Sequence, residues 1–133
     1  MLLLADTGST VNPFHKLVLS ATEGYYLLHP CDIMYCKADD SYTHLHMYNG
    51  KCYTVSHPLK DFEAILTPHN FFRIHKSYLV NINHIEKINK VESPSVIMSN
   101  HEELPVAHRK KEDFLSVIRR WYQSMRLPVK PLR

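Results

Sequence analysis

The chain has few of the residues that build common catalytic and cofactor sites. Glycine occurs only at positions 8, 24 and 50, so no glycine-rich loop of the kind that binds nucleotide phosphates is present. The three cysteines have no CxxC spacing, and the ten histidines include no HExxH motif. No nucleophile elbow occurs, and no acidic residue is placed by sequence to orient His75 beside Ser77. These absences predict a protein that is not an enzyme, holds no metal and needs no cofactor.

Long hydrophobic runs are missing as well. No segment approaches the roughly 18 apolar residues of a membrane-spanning helix. The first five residues, Met-Leu-Leu-Leu-Ala, lack the basic start and the full apolar stretch of a secretory signal. The odd number of cysteines is typical of reduced thiols. We therefore expect a cytoplasmic protein that does not contact a membrane.

Positive charge is concentrated in the second half of the chain. Residues 1–70 contain 4 Lys and Arg against 7 Asp and Glu, whereas residues 71–133 contain 12 against 6. The overall net charge of +3 therefore hides a basic second half. Clustered positive charge favours an anionic partner, and nucleic acid is the most common one.

The length of 133 residues fits a single domain with its own core. Residues 1–13 end in turn and breaker residues without periodicity, so we interpret them as a tail or the remnant of a linker. The domain is predicted to cover residues 14–126. Pro128 and Pro131 end regular structure in a C-terminal tail, residues 127–133.

Short β-forming segments separated by turn residues dominate the domain. The predicted strands cover residues 15–20, 25–29, 32–37, 42–48, 51–56, 84–89, 95–99 and 103–107, with more inside the apolar stretch that begins at Asn70. Asn49-Gly50 predicts a hairpin with a two-residue loop. The pattern indicates a mostly β fold of about ten short strands, antiparallel because the loops are too short for crossovers.

Two segments instead have helical periodicity. Pro58–Leu66 predicts one short internal helix that Ser56 or His57 can cap, and the apolar residues from Phe114 to Met125 predict a C-terminal helix. The apolar stripe through Trp121 is typical of a helix that faces a core, and a dimer helix is the alternative.

One stretch carries a family signature. The string Phe72-Arg73-Ile74-His75-Lys76-Ser77-Tyr78-Leu79-Val80-Asn81, followed by Ile85-Glu86-Lys87-Ile88, closely resembles the signature of the LytTR family. This family is the DNA-binding domain of LytR/AlgR-type bacterial response regulators. The similarity extends over roughly residues 15 to 122. It implies a fold of small antiparallel sheets in an elongated stack.

The resemblance also implies three DNA contact points. The first is the signature itself, with Arg73, His75 and Lys76 at or near DNA and Lys76 placed to reach guanine O6/N7 or a phosphate. Ser77 and Asn81 are expected to hold the turn in shape, with His75 between the two roles. The second point is the loop that begins at Asp39-Asp40, where Ser41 or Tyr42 makes the contact because carboxylates repel phosphates.

The third contact point follows the last strand, where the family usually has a Ser-Arg pair. This chain has Ala107-His108-Arg109 instead, so either His108 occupies the reading position or Arg109 has slipped by one. Lys110 and Lys111 are expected to neutralise phosphates. Positive charge at a helix N-terminus opposes the helix dipole, which favours an anionic partner there.

These observations together predict sequence-specific binding of double-stranded DNA by a bacterial transcriptional regulator. The regulator is either the output domain of a response regulator or a stand-alone protein. By analogy with the family, we expect paired direct repeats as the DNA site, self-association on DNA, and an upstream receiver domain or sensor partner. The alternative is a protein-interaction module that uses the aromatic hairpin Tyr42–Tyr53.

Overall fold

A computed structural model describes residues 3–4 and 15–125. These residues form eleven strands and two α-helices. The strands are β1 (Leu3–Leu4), β2 (Leu17–Ala21), β3 (Gly24–Leu28), β4 (Ile33–Asp39), β5 (Tyr42–Met47), β6 (Cys52–Val55), β7 (Phe71–His75), β8 (Tyr78–Asn81), β9 (Ile85–Asn89), β10 (Ser95–Met98) and β11 (Glu103–Pro105). The helices are α1 (Leu59–Leu66) and α2 (Lys111–Met125). The predicted mostly β class with two helices is confirmed.

The predicted tails fall largely outside this description. Strand β1 belongs to the segment 1–13 and pairs with β2, but the rest of that segment lies outside the described residues. The C-terminal tail 127–133 also lies outside them. The domain boundaries therefore stay a prediction.

The strands form three small antiparallel sheets. A central five-stranded sheet has the order β6-β5-β4-β8-β7, and two three-stranded sheets have the orders β1-β2-β3 and β11-β10-β9. Most neighbours are consecutive hairpin partners, but β4 pairs with β8, where Tyr35 lies opposite Val80. This long-range pairing joins the acidic first half of the chain to the basic second half. The predicted stack of small antiparallel sheets is confirmed.

Each face of the central sheet contributes to a separate hydrophobic core. The first core combines one face of the sheet with β2, β3 and the apolar side of α1, including the fully buried Phe62 and Leu45. The second combines the opposite face with β9–β11 and the first half of α2, including Phe114 and Val96. The central sheet is thus the shared layer between both cores.

The hairpin at Asn49-Gly50 forms where the sequence places it, but with a longer loop. Buried and half-buried residues alternate along β5 as expected for one core-facing side. The Met47 amide donates to the Lys51 carbonyl at 2.8 Å, so the loop contains three residues instead of the predicted two. Gly50 adopts φ +92°, the left-handed conformation that closes three-residue hairpin loops.

The internal helix begins without the predicted side-chain cap. Pro58 occupies the N-cap position, and no side chain there bonds the helix start. His57 instead contacts Asp61 through its ring, at 3.1 Å from Nδ1 to Oδ2. The α-helix ends at Leu66, as predicted before Thr67-Pro68, and a 3-10 turn follows.

The prediction that the stripe through Trp121 faces a core is wrong for the last part of α2. Phe114 and Leu115 are buried, but Trp121, Tyr122 and Met125 are 55%, 50% and 63% exposed. The reason is geometric: the helix is 15 residues long and continues past the sheet on which its first half packs.

Candidate nucleic-acid interface

The three predicted contact points gather at one end of the central sheet. The Ala38 amide donates to the Ser77 carbonyl at 2.9 Å, which places the β4–β5 turn beside the β7–β8 turn. The Ala107 amide donates to the Ile74 carbonyl at 2.8 Å, which attaches the segment after β11 to the edge strand β7. We call this surface, made of residues 39–42, 75–78 and 107–111, the turn end. Its three segments lie far apart in the sequence, and strand pairing brings them together in the fold.

Lys76 occupies the tip of the β7–β8 turn. Its side chain is exposed, whereas the strands on both sides of the turn are anchored by the buried Ile74 and Leu79. A cleft of about 150 Å³ opens next to it, lined by Glu63, Arg73, Lys76, Arg109 and Lys110. Four cations around one small cleft create a local positive potential suited to a phosphate group.

Arg73 is committed to partners inside the protein. Its Nη1 lies 3.0 Å from Glu63 Oε1, its Nε donates to the His75 carbonyl at 3.1 Å, and its Nη2 donates to the Lys76 carbonyl. The side chain is only 20% exposed. Arg73 therefore links α1 to the backbone of the β7–β8 turn, a role that the sequence pattern did not reveal.

Two other polar residues of the signature bond backbone groups, His75 in the β7–β8 turn and Asn81 at the other end of β8. The Ser77 amide donates to His75 Nδ1 at 3.0 Å, so the imidazole is held within the turn. Asn81 is fully buried, donates to the carbonyls of Ile33 at 3.0 Å and Pro30 at 3.4 Å, and accepts from the Asn83 amide at 3.0 Å. The prediction that Asn81 satisfies backbone groups is confirmed, but the expectation that it holds the β7–β8 turn in shape is wrong, because its partners lie at the other end of β8.

The β4–β5 turn carries two carboxylates, Asp39 and Asp40, followed by the hydroxyl of Ser41. Asp40 has φ 57° at the tip, Ser41 is exposed, and Tyr42 is half-buried at the start of β5. Asp39 Oδ2 lies 2.9 Å from His44 Nε2, and His44 Nδ1 lies 2.8 Å from Thr54 Oγ1. This pairing joins one oxygen of the Asp39 carboxylate to β5, although the side chain remains 64% exposed.

The segment after β11 forms a short 3-10 turn before α2. His108–Lys110 make this turn with Ala107 as its N-cap residue. His108 and Arg109 are exposed, and Lys110 and Lys111 are half-buried. Arg109 and Lys110 line the cleft beside Lys76, and the first turn of α2 carries Glu112 and Asp113 to complement the helix dipole.

Two charged residues near the turn end were not identified from sequence. Glu63 lies on α1 and reaches the cleft only because α1 packs beside β7. Lys37 is exposed on β4, with Nζ 5.9 Å from the centre of the Tyr78 ring on the neighbouring strand. Neither position had a local signal, because both contacts depend on pairing between distant segments.

Burial shifts the pKa of several groups on the central sheet. It lowers the pKa of His46, whose ring stacks on Tyr35 at 4.5 Å between centres, and His44 and Lys37 lower it further. Burial also raises the pKa of Tyr35 to about 12 and raises the pKa of the fully buried Cys36 thiol. His46 is therefore a neutral aromatic partner at neutral pH.

The aromatic residues of the hairpin mostly pack within the protein. Tyr53 lies against Tyr26, with 5.6 Å between ring centres, and Tyr48 stacks on His84 at 6.2 Å, although Tyr48 remains 61% exposed. Among the described residues, no three His, Cys, Asp or Glu side chains form a group that could hold a metal ion. Neither α-helix in this part of the chain is long and apolar enough to cross a membrane.

Comparison with known proteins identifies the class to which this fold and surface belong. Residues 23–119 match the family described as LytTR, LytTr DNA-binding domain. The solved LytTr DNA-binding domain of a Bacillus cereus protein superimposes with a TM-score of 0.66 at 28% identity, over 77% of this chain and 95% of that one. The chain belongs to the LytTR family of DNA-binding domains.

Curated relatives are bacterial regulators of greater length. The sensory transduction protein LytT of Bacillus subtilis is 30% identical over 70% of this chain and 39% of its own length. The transcriptional regulatory protein LytR of Staphylococcus aureus is 33% identical over 57% and 31%, and a response regulatory protein of Vibrio cholerae is 33% identical over 61% and 33%. The chain thus spans about a third of the length of the curated relatives that it matches.

Proposed function

We propose that this chain binds double-stranded DNA sequence-specifically through the turn end, acts as a bacterial transcriptional regulator and catalyses no reaction. The main support is that the three turns lie side by side, with Lys76 of one turn and Arg109 and Lys110 of another lining the same cleft. Loops on a rigid sheet can enter the major groove while their cations contact phosphates. Membership of a family of DNA-binding domains also supports this proposal.

The candidate contact residues of the turn end have different roles in this proposal. Lys76 contacts guanine O6/N7 or a phosphate, because it is the exposed residue at the tip. Arg109, Lys110 and Lys111 neutralise phosphates, and either His108 or Arg109 reads a base. Ser41 or Tyr42 makes the contact from the β4–β5 turn. His75 holds the turn next to DNA through the Ser77 amide.

The wider setting of the domain is also part of the proposal. We place the domain at residues 14–126 and its action in the cytoplasm, where a bacterial chromosome lies. Two copies on paired direct repeats, self-association on DNA, and control by an upstream receiver domain or sensor partner are expected by analogy with response regulators. The names of the LytT and LytR relatives support this setting.

The first test is selection from a randomised duplex library followed by fluorescence-anisotropy titration at two salt concentrations. We expect an enriched motif, an affinity that falls steeply with salt, and a loss of about tenfold in Lys76→Ala. Lys51→Ala is the matched control, because Lys51 is exposed in the β5–β6 turn at the opposite end of the central sheet. Its affinity should stay within about twofold of the unsubstituted chain.

Other outcomes would contradict the proposal. A folded chain that enriches no motif does not read sequence, and the turn end would then serve another partner. An enriched motif with equal losses in Lys76→Ala and Lys51→Ala would place the binding surface elsewhere.

A further inference from the structure

We propose that Arg73 and Glu63 are positioning residues that hold the β7–β8 turn in a single conformation and so orient Lys76 toward its base. This inference rests on the proposed function, because it assigns the orientation of a DNA-contacting residue. It departs from the sequence expectation that Arg73 itself contacts DNA. Arg73 and Glu63 would act through the turn, without touching a base.

The hydrogen bonds of Arg73 are the first line of support. Each of the three guanidinium nitrogens donates to an acceptor within the protein, namely Glu63 Oε1 and the carbonyls of His75 and Lys76. The His75 carbonyl belongs to the peptide bond before Lys76, and the Lys76 carbonyl belongs to the peptide bond after it. A planar guanidinium with donors in a fixed fork can therefore define the orientation of both peptide planes.

The location of Glu63 is the second line of support. Glu63 is the one carboxylate among the described residues that line the cleft, where its charge opposes phosphate binding. Its helix is fixed to the first core by Leu59, Phe62 and Leu66, which are at most 3% exposed. Glu63 can therefore transmit the rigidity of the core to Arg73. We infer that the contact with Arg73 is the reason for a glutamate at this position, although its negative charge repels a phosphate in the cleft.

The partial burial of the pair is the third line of support. The side chains of Arg73 and Glu63 are 20% and 39% exposed, so solvent screens their attraction less than that of a fully exposed pair. The turn is also bonded from the other side, by the Ala38 amide to the Ser77 carbonyl. We call the contacts of Arg73 with Glu63 and with the two turn carbonyls the clamp. With the clamp on one side and Ala38 on the other, both halves of the turn are bonded to neighbouring elements.

Arg73→Lys separates a positioning role from a phosphate contact. Lysine keeps the positive charge but has no fork of donors, so it cannot bond two carbonyls and a carboxylate in the same way. We expect the affinity for the selected duplex to fall about tenfold and the affinity for an unrelated duplex to stay within about twofold. In a Lys76→Ala background, Arg73→Lys should cause no further loss of discrimination.

A phosphate contact would give a different pattern. Arg73→Lys would then bind both duplexes as the unsubstituted chain does, and Arg73→Ala would weaken both equally. That pattern would overturn the positioning role.

Glu63→Ala tests the other partner and protects the test against misfolding of the Arg73 variant. We expect weaker discrimination, together with an unchanged or higher affinity for the unrelated duplex because a negative charge leaves the cleft. Glu86→Ala is the matched control, since Glu86 is exposed on β9, does not line the cleft, and has the His101 ring at 3.8 Å as its partner. The control should retain full discrimination.

Amide hydrogen exchange provides a readout that does not depend on DNA. In Glu63→Ala, the amides of Ser77 and Ala38 should exchange about tenfold faster, while they are unchanged in Glu86→Ala. Unchanged exchange in Glu63→Ala would overturn the clamp even if DNA binding is confirmed. Faster exchange in a chain that selects no DNA motif would retain the clamp and reject only the proposed function.

Discussion

At the level of single residues, Asn81 shows how much structure one buried amide can hold. Its Nδ2 donates to the carbonyl of Pro30, which precedes β4, and to the carbonyl of Ile33, the first residue of β4. Its Oδ1 accepts a hydrogen bond from the Asn83 amide, which follows β8. The side chain is fully buried, so water cannot replace these bonds when it is removed.

Asn81→Ala should therefore lower the free energy of unfolding by about 3 kcal/mol, as expected when buried backbone groups lose their partners. Urea unfolding measures this difference. Asn83→Ala is the control, because the Asn83 side chain is exposed, and it should cost no more than about 0.5 kcal/mol. Equal effects of the two substitutions would show that the buried bonds of Asn81 contribute little.

His46 makes stability depend on pH. Burial lowers its pKa in the folded protein, so the unfolded chain binds the proton more tightly. Stability from this residue is complete above the unfolded pKa of about 6.5 and is lost as the pH falls below it. Thermal unfolding should therefore show a Tm that decreases between pH 7 and pH 5, and His46→Gln should flatten that decrease. His101→Gln should not, because His101 is 82% exposed.

Among the elements, α2 combines a packed half and an exposed half. Phe114 is 1% exposed and its ring lies 5.3 Å from that of Phe72, whereas Trp121 is 55% exposed. Phe114→Ala should cost about 4 kcal/mol of unfolding free energy, and Trp121→Ala less than about 1 kcal/mol. Chemical denaturation compares the two variants. A cost above 2 kcal/mol for Trp121→Ala would show that a contact covers this ring in solution.

The same helix shows how far sequence alone could lead. Helical periodicity placed Phe114 and Trp121 on one face correctly, because a period of 3.6 residues is a local property. It could not show that the sheet ends before Trp121, since that depends on the length of other strands. Likewise, Asn49-Gly50 predicted the position of the hairpin. The three-residue length of its loop follows from the register that places His46 opposite Cys52, which the sequence alone does not show.

The residues of the turn end were predictable in outline for a similar reason. The signature placed Lys76 at one predicted contact point, and the wider family resemblance placed the segment His108–Lys111 at another. The partners of Arg73 were not visible, since Glu63 lies ten positions away on another element. The spacing of a cation in a signature therefore does not reveal which acceptors within the protein its donors bond.

For the molecule as a whole, the turn end concentrates the charge that should govern salt dependence. If Arg109, Lys110 and Lys111 each neutralise one phosphate, the slope of log K against log salt should be about −2.7, at about −0.9 per phosphate. Lys111→Ala should reduce its magnitude by about one. Lys51→Ala should leave it unchanged. Anisotropy titrations over a range of salt concentrations measure the slope, and a value near zero would contradict phosphate binding by this surface.

The pairing of β4 with β8 predicts when the turn end forms during folding. Hairpins such as β4–β5 and β7–β8 close locally, whereas positions 35 and 80 meet only after a long loop has closed. The β4–β5 turn and the β7–β8 turn come together only in that slower step. A chain with both hairpins formed but β4 and β8 still apart has no complete turn end, so under the proposed function we expect DNA binding to appear late in folding.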